Sequence, residues 1–194
     1  MENLILNMQE KENVLRILEE TKHAILKEDS VKLKELSNQT IHTASTSQDP
    51  DNIAVAVIVY SLSKIIERKQ YQGLTGWKNF YSGIVTAIDG SIVSIKNDDD
   101  KKLHENLTKI RETVSKLSGK LKVYIQDVFR KAEINKASKI YEHGISMEHT
   151  ASLLGVTLFE LASYAGQKPE ISETSFNKTV DVKKRIKTAM EMFQ

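Results

Sequence analysis

Five histidines and a run of three aspartates are the side chains of this sequence best suited to metal binding or proton transfer. The histidines lie at positions 23, 42, 104, 143 and 149. No two of them have the i, i+4 spacing that places a pair of imidazoles on one helix face. The aspartates at 98–100 precede an apolar-periodic segment, and negative charge is favourable at a helix N-terminus. We therefore expect no metal site and no cofactor.

Arg16 and His23, with six residues between them, form a second constellation. The spacing resembles the ribonuclease motif of HEPN-type helical bundles, although that family usually carries it late in the bundle. We expect the two side chains to lie on different faces of the first helix, and rank this ribonuclease third. No glycine-rich phosphate loop or nucleophile motif occurs, so the sequence predicts a protein that is not an enzyme.

The most specific pattern lies in residues 147–166, which read MEHTASLLGVTLFELASYAG. Ala151 is small enough for the crossing point of two helices. Four residues later, Gly155 suits a turn that needs a positive φ angle. Residues suited to pack or cap the helices around this turn are Leu154, Val156, Leu161, Tyr164, Ser146 and Thr157.

This segment resembles the helix-turn-helix of small archaeal antitoxins and regulators, which share the pattern S-x-x-x-A-x-x-L-G-V/I-S/T-x-x-E-L. The matching residues are Ser146 (one residue further from the alanine), Ala151, Leu154, Gly155, Val156, Thr157, Glu160 and Leu161. The resemblance implies a DNA-binding regulator. Because some such proteins accompany a PIN-domain ribonuclease, it also implies a PIN-domain toxin as a partner protein. Residues 1–120 resemble no family that we recognise.

A helix-turn-helix of this type would place the start of its second helix in a major groove. The candidate DNA-binding residues are Thr157, Leu158, Phe159, Ala162 and Ser163, with Lys139 and Lys168 near the phosphate backbone. Base reading usually uses Arg, Lys, Asn or Gln, whereas Leu158 and Phe159 suit either a thymine methyl group or a protein, and Glu160 has the wrong charge beside a phosphate. Two interpretations stay open: a non-enzymatic DNA-associated regulator, which we rank first, and a protein-interaction module that uses the same helices.

The last part of the chain suggests an additional binding element. Residues 169–175 read as a linker, and residues 181–193 predict a short amphipathic helix. The candidate partner-binding residues on its basic face are Lys183, Lys184, Arg185 and Lys187. They would contact a partner protein or the DNA backbone, unless the helix docks on its own domain and leaves them in solvent.

Helices must position all of these side chains, because the composition disfavours other elements. The 194 residues include only two prolines and eight glycines, so turns are few and long helices are expected. Apolar residues make up 40%, enough for a buried core, and the absence of cysteine excludes disulfides and thiol catalysis. A net charge of +2 excludes a strongly basic nucleic-acid coat protein. We predict an all-α protein with a helical bundle (1–120), a helix-turn-helix domain (121–168), and a linker and terminal helix (169–194).

Apolar periodicity predicts the individual helices. The first four are predicted over residues 10–27, 30–43, 51–70 and 76–96, with a loop over 43–48. Two segments allow another interpretation: the β-branched run 53–60 suits a buried strand, and Asp89-Gly90 suits a hairpin within 84–95. We favour helices at both, because one helix face would collect Trp77, Tyr81, Ile84, Ile88, Ile92 and Ile95.

We expect a cytoplasmic protein without membrane attachment. Residues 1–10 lack the pattern of a signal peptide, and the longest apolar run is 53–60, whereas a membrane helix needs about 20 residues. We also expect a homodimer, because a single helix-turn-helix with little positive charge binds DNA weakly and two copies double the contacts. The apolar stripe from Leu103 to Leu117 would pack either within one chain or across a two-fold axis.

Overall fold

The computed structural model of the chain describes residues 2–166, with side chains from residue 10 onward. Its α-helices are α1 (Glu2–Leu26), α2 (Ser30–Ser47), α3 (Pro50–Glu67), α4 (Trp77–Lys96), α5 (Asp100–Ser115), α6 (Gly119–Glu142), α7 (Met147–Leu154) and α8 (Leu158–Gly166). A short 3-10 helix, Lys69–Gly73, connects α3 to α4. No strand occurs among the described residues, and the predicted all-α class is confirmed.

The centre of α3 is the most thoroughly buried segment of the fold. Its start is set by Asp49, whose side chain accepts hydrogen bonds from two backbone N–H groups of the first turn, and by Pro50. Residues 53–60 are then buried except for partial exposure of Ala54 and Tyr60, and α3 packs against α1, α2, α5 and α6. A helix bonds its backbone internally, so it can be surrounded by apolar neighbours. The strand alternative for this segment is wrong.

α4 runs as a continuous helix through Asp89 and Gly90, so the predicted helix is confirmed and the hairpin alternative is wrong. The glycines of α4 face α5 instead of forming a turn. A Cβ atom added at Gly83 would lie 2.9 Å from Cγ2 of Thr113, and one added at Gly90 would lie 2.8 Å from Cγ of Asn106. Glycine at these two positions therefore permits the close approach of α4 and α5.

α2 is longer than the sequence predicts. The expected loop over 43–48 is wrong, because α2 continues to Ser47. The hydroxyl groups of Ser45 and Thr46 donate to backbone carbonyls four residues earlier, and the neighbouring Ala44 is fully buried. Burial of this turn against the rest of the protein outweighs the low helix propensity of serine and threonine.

Other predicted boundaries shift by smaller amounts. The first helix begins at Glu2 instead of residue 10, and the third ends at Glu67 instead of residue 70. α5 and α6 are separated by residues 116–118, and Gly119 begins α6 with a positive φ angle of 60°.

Two apolar cores hold the helices together, and α2, α3 and α6 belong to both. The first core lies among α1–α5 and the first half of α6, and the second lies among the end of α2, the start of α3, and α6–α8. Half-buried Phe129 of α6 packs against both cores. The helix-turn-helix segment therefore shares apolar contacts with the helices that precede residue 120.

The apolar stripe of α5 is buried within the chain. The residues of this stripe, none more than 8% exposed, are Leu103, Leu107, Ile110, Val114 and Leu117. Of the two arrangements expected for the stripe, the structure shows packing within one chain, and the homodimer stays a prediction. Between residues 2 and 166, no helix combines the length and the apolar character that crossing a bilayer requires. Predicted residues that lie outside the described part are those of the linker and terminal helix, with Lys168, Lys183, Lys184, Arg185 and Lys187.

Gly83→Ala should destabilise the protein although alanine is the better helix former. Alanine gains about 1 kcal/mol of helix propensity, but its methyl group meets Thr113, whose β-branched side chain is stiff. Such overpacking costs about 1–3 kcal/mol. Urea denaturation should show a lower free energy of unfolding for Gly83→Ala, and Thr113→Ala should rescue it in the double variant. Gly73→Ala, which adds a methyl group in open space, is the control. A Gly83→Ala protein that is more stable than the wild type would contradict the close approach of α4 and α5 at this position.

Candidate functional site

The segment predicted to be a helix-turn-helix consists of the two short helices α7 and α8, joined by residues 155–157. At the start of α7, the side-chain oxygen of Ser146 accepts a hydrogen bond from the backbone N–H of His149 at 3.2 Å. At its end, Gly155 adopts a left-handed conformation with a φ angle of 64°. The predicted cap and the predicted glycine turn are both confirmed.

The inner faces of α7 and α8 pack on α6 and on parts of α2 and α3. The side chains of this segment that enter the second core are Ala151, Leu154, Val156 and Leu161. A polar contact adds to this packing, since the side-chain amide of Asn135 on α6 donates to the hydroxyl of Tyr164 at 2.8 Å. The opposite side of α8 is left facing solvent.

Thr157 and Glu160 form a capping box at the start of α8. The Thr157 hydroxyl accepts from the backbone N–H of Glu160 at 3.1 Å and donates to the Glu160 carboxylate at 2.7 Å. The same carboxylate accepts from the backbone N–H of Thr157 at 2.9 Å. Hydrogen bonds from Thr157, followed by that from Arg130, lower the pKa of Glu160 to about 2. The predicted cap at Thr157 is confirmed, and Glu160 is ionised and engaged within the chain.

Arg130 on α6 binds the start of α8. Its Nε and Nη2 atoms make three hydrogen bonds of 2.6–3.1 Å to the two carboxylate oxygens of Glu160. Its Nη1 atom donates to Glu133 and to the carbonyl oxygen of Gly155, both at 3.1 Å. These five bonds engage all three nitrogens of the guanidinium group. Arg130 therefore fixes α8 against α6, and its positive charge already faces the carboxylates of Glu160 and Glu133.

An apolar surface lies on the solvent side of α8, and we call Leu158, Phe159 and Ala162 the α8 apolar surface. Leu158 is 47% exposed and Phe159 is 81% exposed, and Ala162 is exposed beside them. Of the other predicted DNA contacts, Thr157 uses its hydroxyl in the cap and Ser163 is half-buried. The predicted contact residues of α8 thus come together, but as a mainly apolar group.

Positive charge is scarce around this surface. No lysine or arginine occurs over residues 143–166, which contain two glutamates. Lys139, predicted to lie near a phosphate, is on α6, and its Nζ pairs with Glu142 at 2.9 Å.

Comparisons with known proteins give no match for this chain. No family model matches the chain. No curated protein and no solved structure gives a significant match either. The interpretation of the site therefore rests on the contacts of its own residues.

Arg16 and His23 lie on the same side of α1, so the expectation of different faces is wrong. Seven positions correspond to nearly two helical turns, and both side chains line a cleft of about 750 Å³ between α1 and α4. Every lysine or arginine that lines this cleft is paired with a carboxylate. The pairs are Arg16 with Glu20 at 2.6 Å, Lys22 with Asp89 at 2.6 Å, and Lys96 with Glu19 at 2.7 Å. The cleft therefore offers little attraction to an RNA phosphate.

The run of three aspartates is engaged by cations and by a helix cap. The Nζ atom of Lys11 lies 2.7 Å from Asp98 and 2.9 Å from Asp100. Asp99 accepts from the backbone N–H of Lys102 at 3.0 Å, which is the predicted cap of α5. Within the described part of the chain, no three potential metal-binding side chains come together.

Lys136 of α6 is a buried amine that the sequence analysis missed. Its side chain is fully buried where α2, α3 and α6 meet, with Nζ 4.4 Å from the ring centroid of Tyr60 and 3.5 Å from Oδ1 of Asn38. Burial, followed by the positive charges of Lys139 and Lys34, lowers the pKa of Lys136 to about 7. None of the described carboxylates forms an ion pair with it.

Neither Lys136 nor Arg130 was identified as a site residue by the sequence analysis. Only Lys136 has a sequence pattern that could have revealed it. Lys136 lies four residues after Ala132 and four before Ile140, so apolar periodicity does place it on the buried face of α6. Arg130 gives no such signal, because its partner Glu160 is 30 residues away and only folding brings the two together.

Lys136→Met should stabilise the protein, most strongly below pH 7. Between about pH 7 and about pH 10.4 the unfolded chain keeps a lysine proton that the folded chain gives up, so the wild type gains stability as the pH rises. Below pH 7 the full cost of burying the charge applies. We expect Lys136→Met to raise the free energy of unfolding at pH 6 by about 2–4 kcal/mol. The difference should shrink toward pH 10.

Urea denaturation of both proteins from pH 6 to pH 10 measures this difference. The control is Lys131→Met, because Lys131 lies on the same helix, is exposed and pairs only with Asp127. The burial of a charged lysine would be contradicted if Lys136→Met were less stable than the wild type and the pH dependence of its free energy of unfolding were unchanged.

The purified protein should leave RNA intact, because the cations of the α1–α4 cleft are neutralised by carboxylates. Arg16→Ala and His23→Ala should therefore change thermal stability at most. Incubation with labelled single-stranded RNA in the presence of EDTA tests this expectation. Cleavage that either substitution abolishes would instead establish a HEPN-type nuclease.

Proposed function

We propose that the protein is a non-enzymatic regulator that binds a partner protein through the α8 apolar surface of its helix-turn-helix. The observation that carries this proposal is the exposure of Leu158 and Phe159 at the start of a helix that Arg130 binds firmly to α6. Adjacent large apolar side chains in solvent cost solubility and are typical of interaction sites. Aromatic side chains also supply much of the binding energy at protein interfaces.

The start of α8 is held in position before any partner binds. The capping box fixes the backbone at Thr157, and Arg130 links Glu160 and Gly155 to α6. A surface whose backbone is already ordered loses less conformational entropy on association, so more of the contact energy contributes to affinity.

The charge of this region favours a protein over DNA as the ligand. Most of the affinity for DNA comes from cations that neutralise phosphates, whereas α7 and α8 contain no lysine or arginine. Arg130, the cation that binds the start of α8, already pairs with two carboxylates of the chain, those of Glu160 and Glu133. The resemblance to antitoxins makes a PIN-domain ribonuclease the first partner to test.

DNA binding is the second candidate function, and the order of two short helices around Gly155 favours it. Contacts to phosphates would then have to come from other parts of the chain. The sequence after Gly166 contains six cations, Lys168, Lys178, Lys183, Lys184, Arg185 and Lys187. A homodimer would double the number of such contacts.

Leu158→Lys combined with Phe159→Lys should abolish partner binding while leaving the helix content unchanged, because both side chains are exposed. A photo-crosslinking residue at Ala162 identifies the partner in cells, and calorimetry with that purified protein measures the affinity. We expect at least about a 30-fold loss, which corresponds to about 2 kcal/mol for truncated interface anchors. Circular dichroism verifies the fold of the double variant.

Val31→Lys combined with Val93→Lys is the matched control, because it adds two lysines at exposed apolar positions on α2 and α4. This control should bind the partner like the wild type. Fluorescence anisotropy with duplex DNA at low salt decides between the two functions. DNA binding would replace our proposal if the wild type binds duplex DNA at micromolar concentration in a salt-sensitive manner and no partner is crosslinked. In that case the added lysines at 158 and 159 should retain or strengthen DNA binding.

A further inference from the structure

A cleft of about 350 Å³ lies among α3, α5 and α6, on a different part of the protein from the α8 apolar surface. Its apolar lining consists of Ala54, Val57, Ile58, Val114 and Phe129. These side chains come from the two cores and from the residues packed against them, so the cleft lies where the cores meet. Its volume is at the lower end of the range for small-molecule sites.

Two arginines line the same cleft, and their hydrogen-bonding states differ. All three guanidinium nitrogens of Arg130 are engaged, by Glu160, Glu133 and the Gly155 carbonyl. Arg111 is exposed and makes no hydrogen bond or ion pair with any described residue. Its planar guanidinium can therefore bind a carboxylate through two parallel hydrogen bonds. Glu133, the acidic residue of the lining, is bound by Arg130 at 3.1 Å and does not pair with Arg111 among the described contacts.

The geometry points to a binding site for a small amphipathic carboxylate. The carboxylate would pair with Arg111, and the hydrocarbon part would contact Phe129 and Val57. Charge complementarity with the exposed Arg111 selects an anion as the occupant, and the apolar lining selects one that carries a hydrocarbon chain. The apolar lining likewise selects against a nucleic acid, which has no apolar body of this kind. This inference does not depend on the proposed function.

Arg111 is the residue that determines specificity in this site. The apolar lining alone would accept any small hydrocarbon chain, whereas a free guanidinium distinguishes a carboxylate from an alcohol of the same length. Arg130, which binds the start of α8, also lines this site. A bound ligand would therefore lie beside the residue that positions the α8 apolar surface.

Octanoate is the probe for this inference, because it combines an eight-carbon chain with one carboxylate. Calorimetry and 1H–15N NMR titrations of the full chain should give a Kd of about 1 mM or tighter. Shifted amides should cluster around the cleft on α3, α5 and α6. Octan-1-ol, which lacks the charge, and acetate, which lacks the chain, should each bind at least about tenfold more weakly.

Arg111→Gln should weaken octanoate binding about tenfold and leave the affinity for octan-1-ol unchanged. Ala54→Leu, which places extra carbons in the cleft, should weaken both. Lys101→Gln removes an exposed cation from the same helix outside the cleft and should change neither. Octanoate binding no tighter than that of octan-1-ol, equal binding by Arg111→Gln, or a Kd weaker than about 10 mM would overturn the site. Partner binding at α8 is measured separately, so failure of one proposal is distinguishable from failure of the other.

Discussion

The burial of α3 on every side is the constraint on which the rest of the structure depends. A helix that is apolar all round has to be covered completely, and each fully buried large side chain contributes about 1.5–3 kcal/mol. α1, α2, α5 and α6 provide this cover. Because the start of α3 belongs to the second core, the same burial also determines where α6–α8 pack. The helix-turn-helix segment is therefore positioned by the centre of the bundle.

Three basic side chains of α5 and α6 have different roles because their surroundings differ. Lys136 is held among α2, α3 and α6, where burial lowers its pKa. Arg130 connects α6 with the turn and the start of α8 through hydrogen bonds to Gly155 and Glu160. Arg111 has no such partner among the residues that the structure describes. Lys136 therefore lowers the stability of the fold, Arg130 holds the start of α8 in place, and Arg111 is available to bind a ligand.

Two short helices that are joined by a turn and packed on a third helix do not by themselves determine what a protein binds. What α8 presents is set by its outward side chains, which here are Leu158, Phe159 and Ala162. The capping box and Arg130 give this apolar group a fixed backbone, and the absence of lysine and arginine from α7 and α8 removes the usual source of DNA affinity. Structure and charge together favour a protein partner.

Local features of the sequence were sufficient to predict the helical class, the glycine turn at Gly155 and the caps at Ser146 and Thr157. Periodicity and capping act within a few residues, so they can be read without the fold. The extension of α2 to Ser47 and the close approach at Gly83 were decided by tertiary packing. The bonds of Arg130 to Glu160 and the freedom of Arg111 also depend on helices that only folding brings together. Long-range burial and charge pairing have no local pattern, and for this reason they determine the site only in the folded protein.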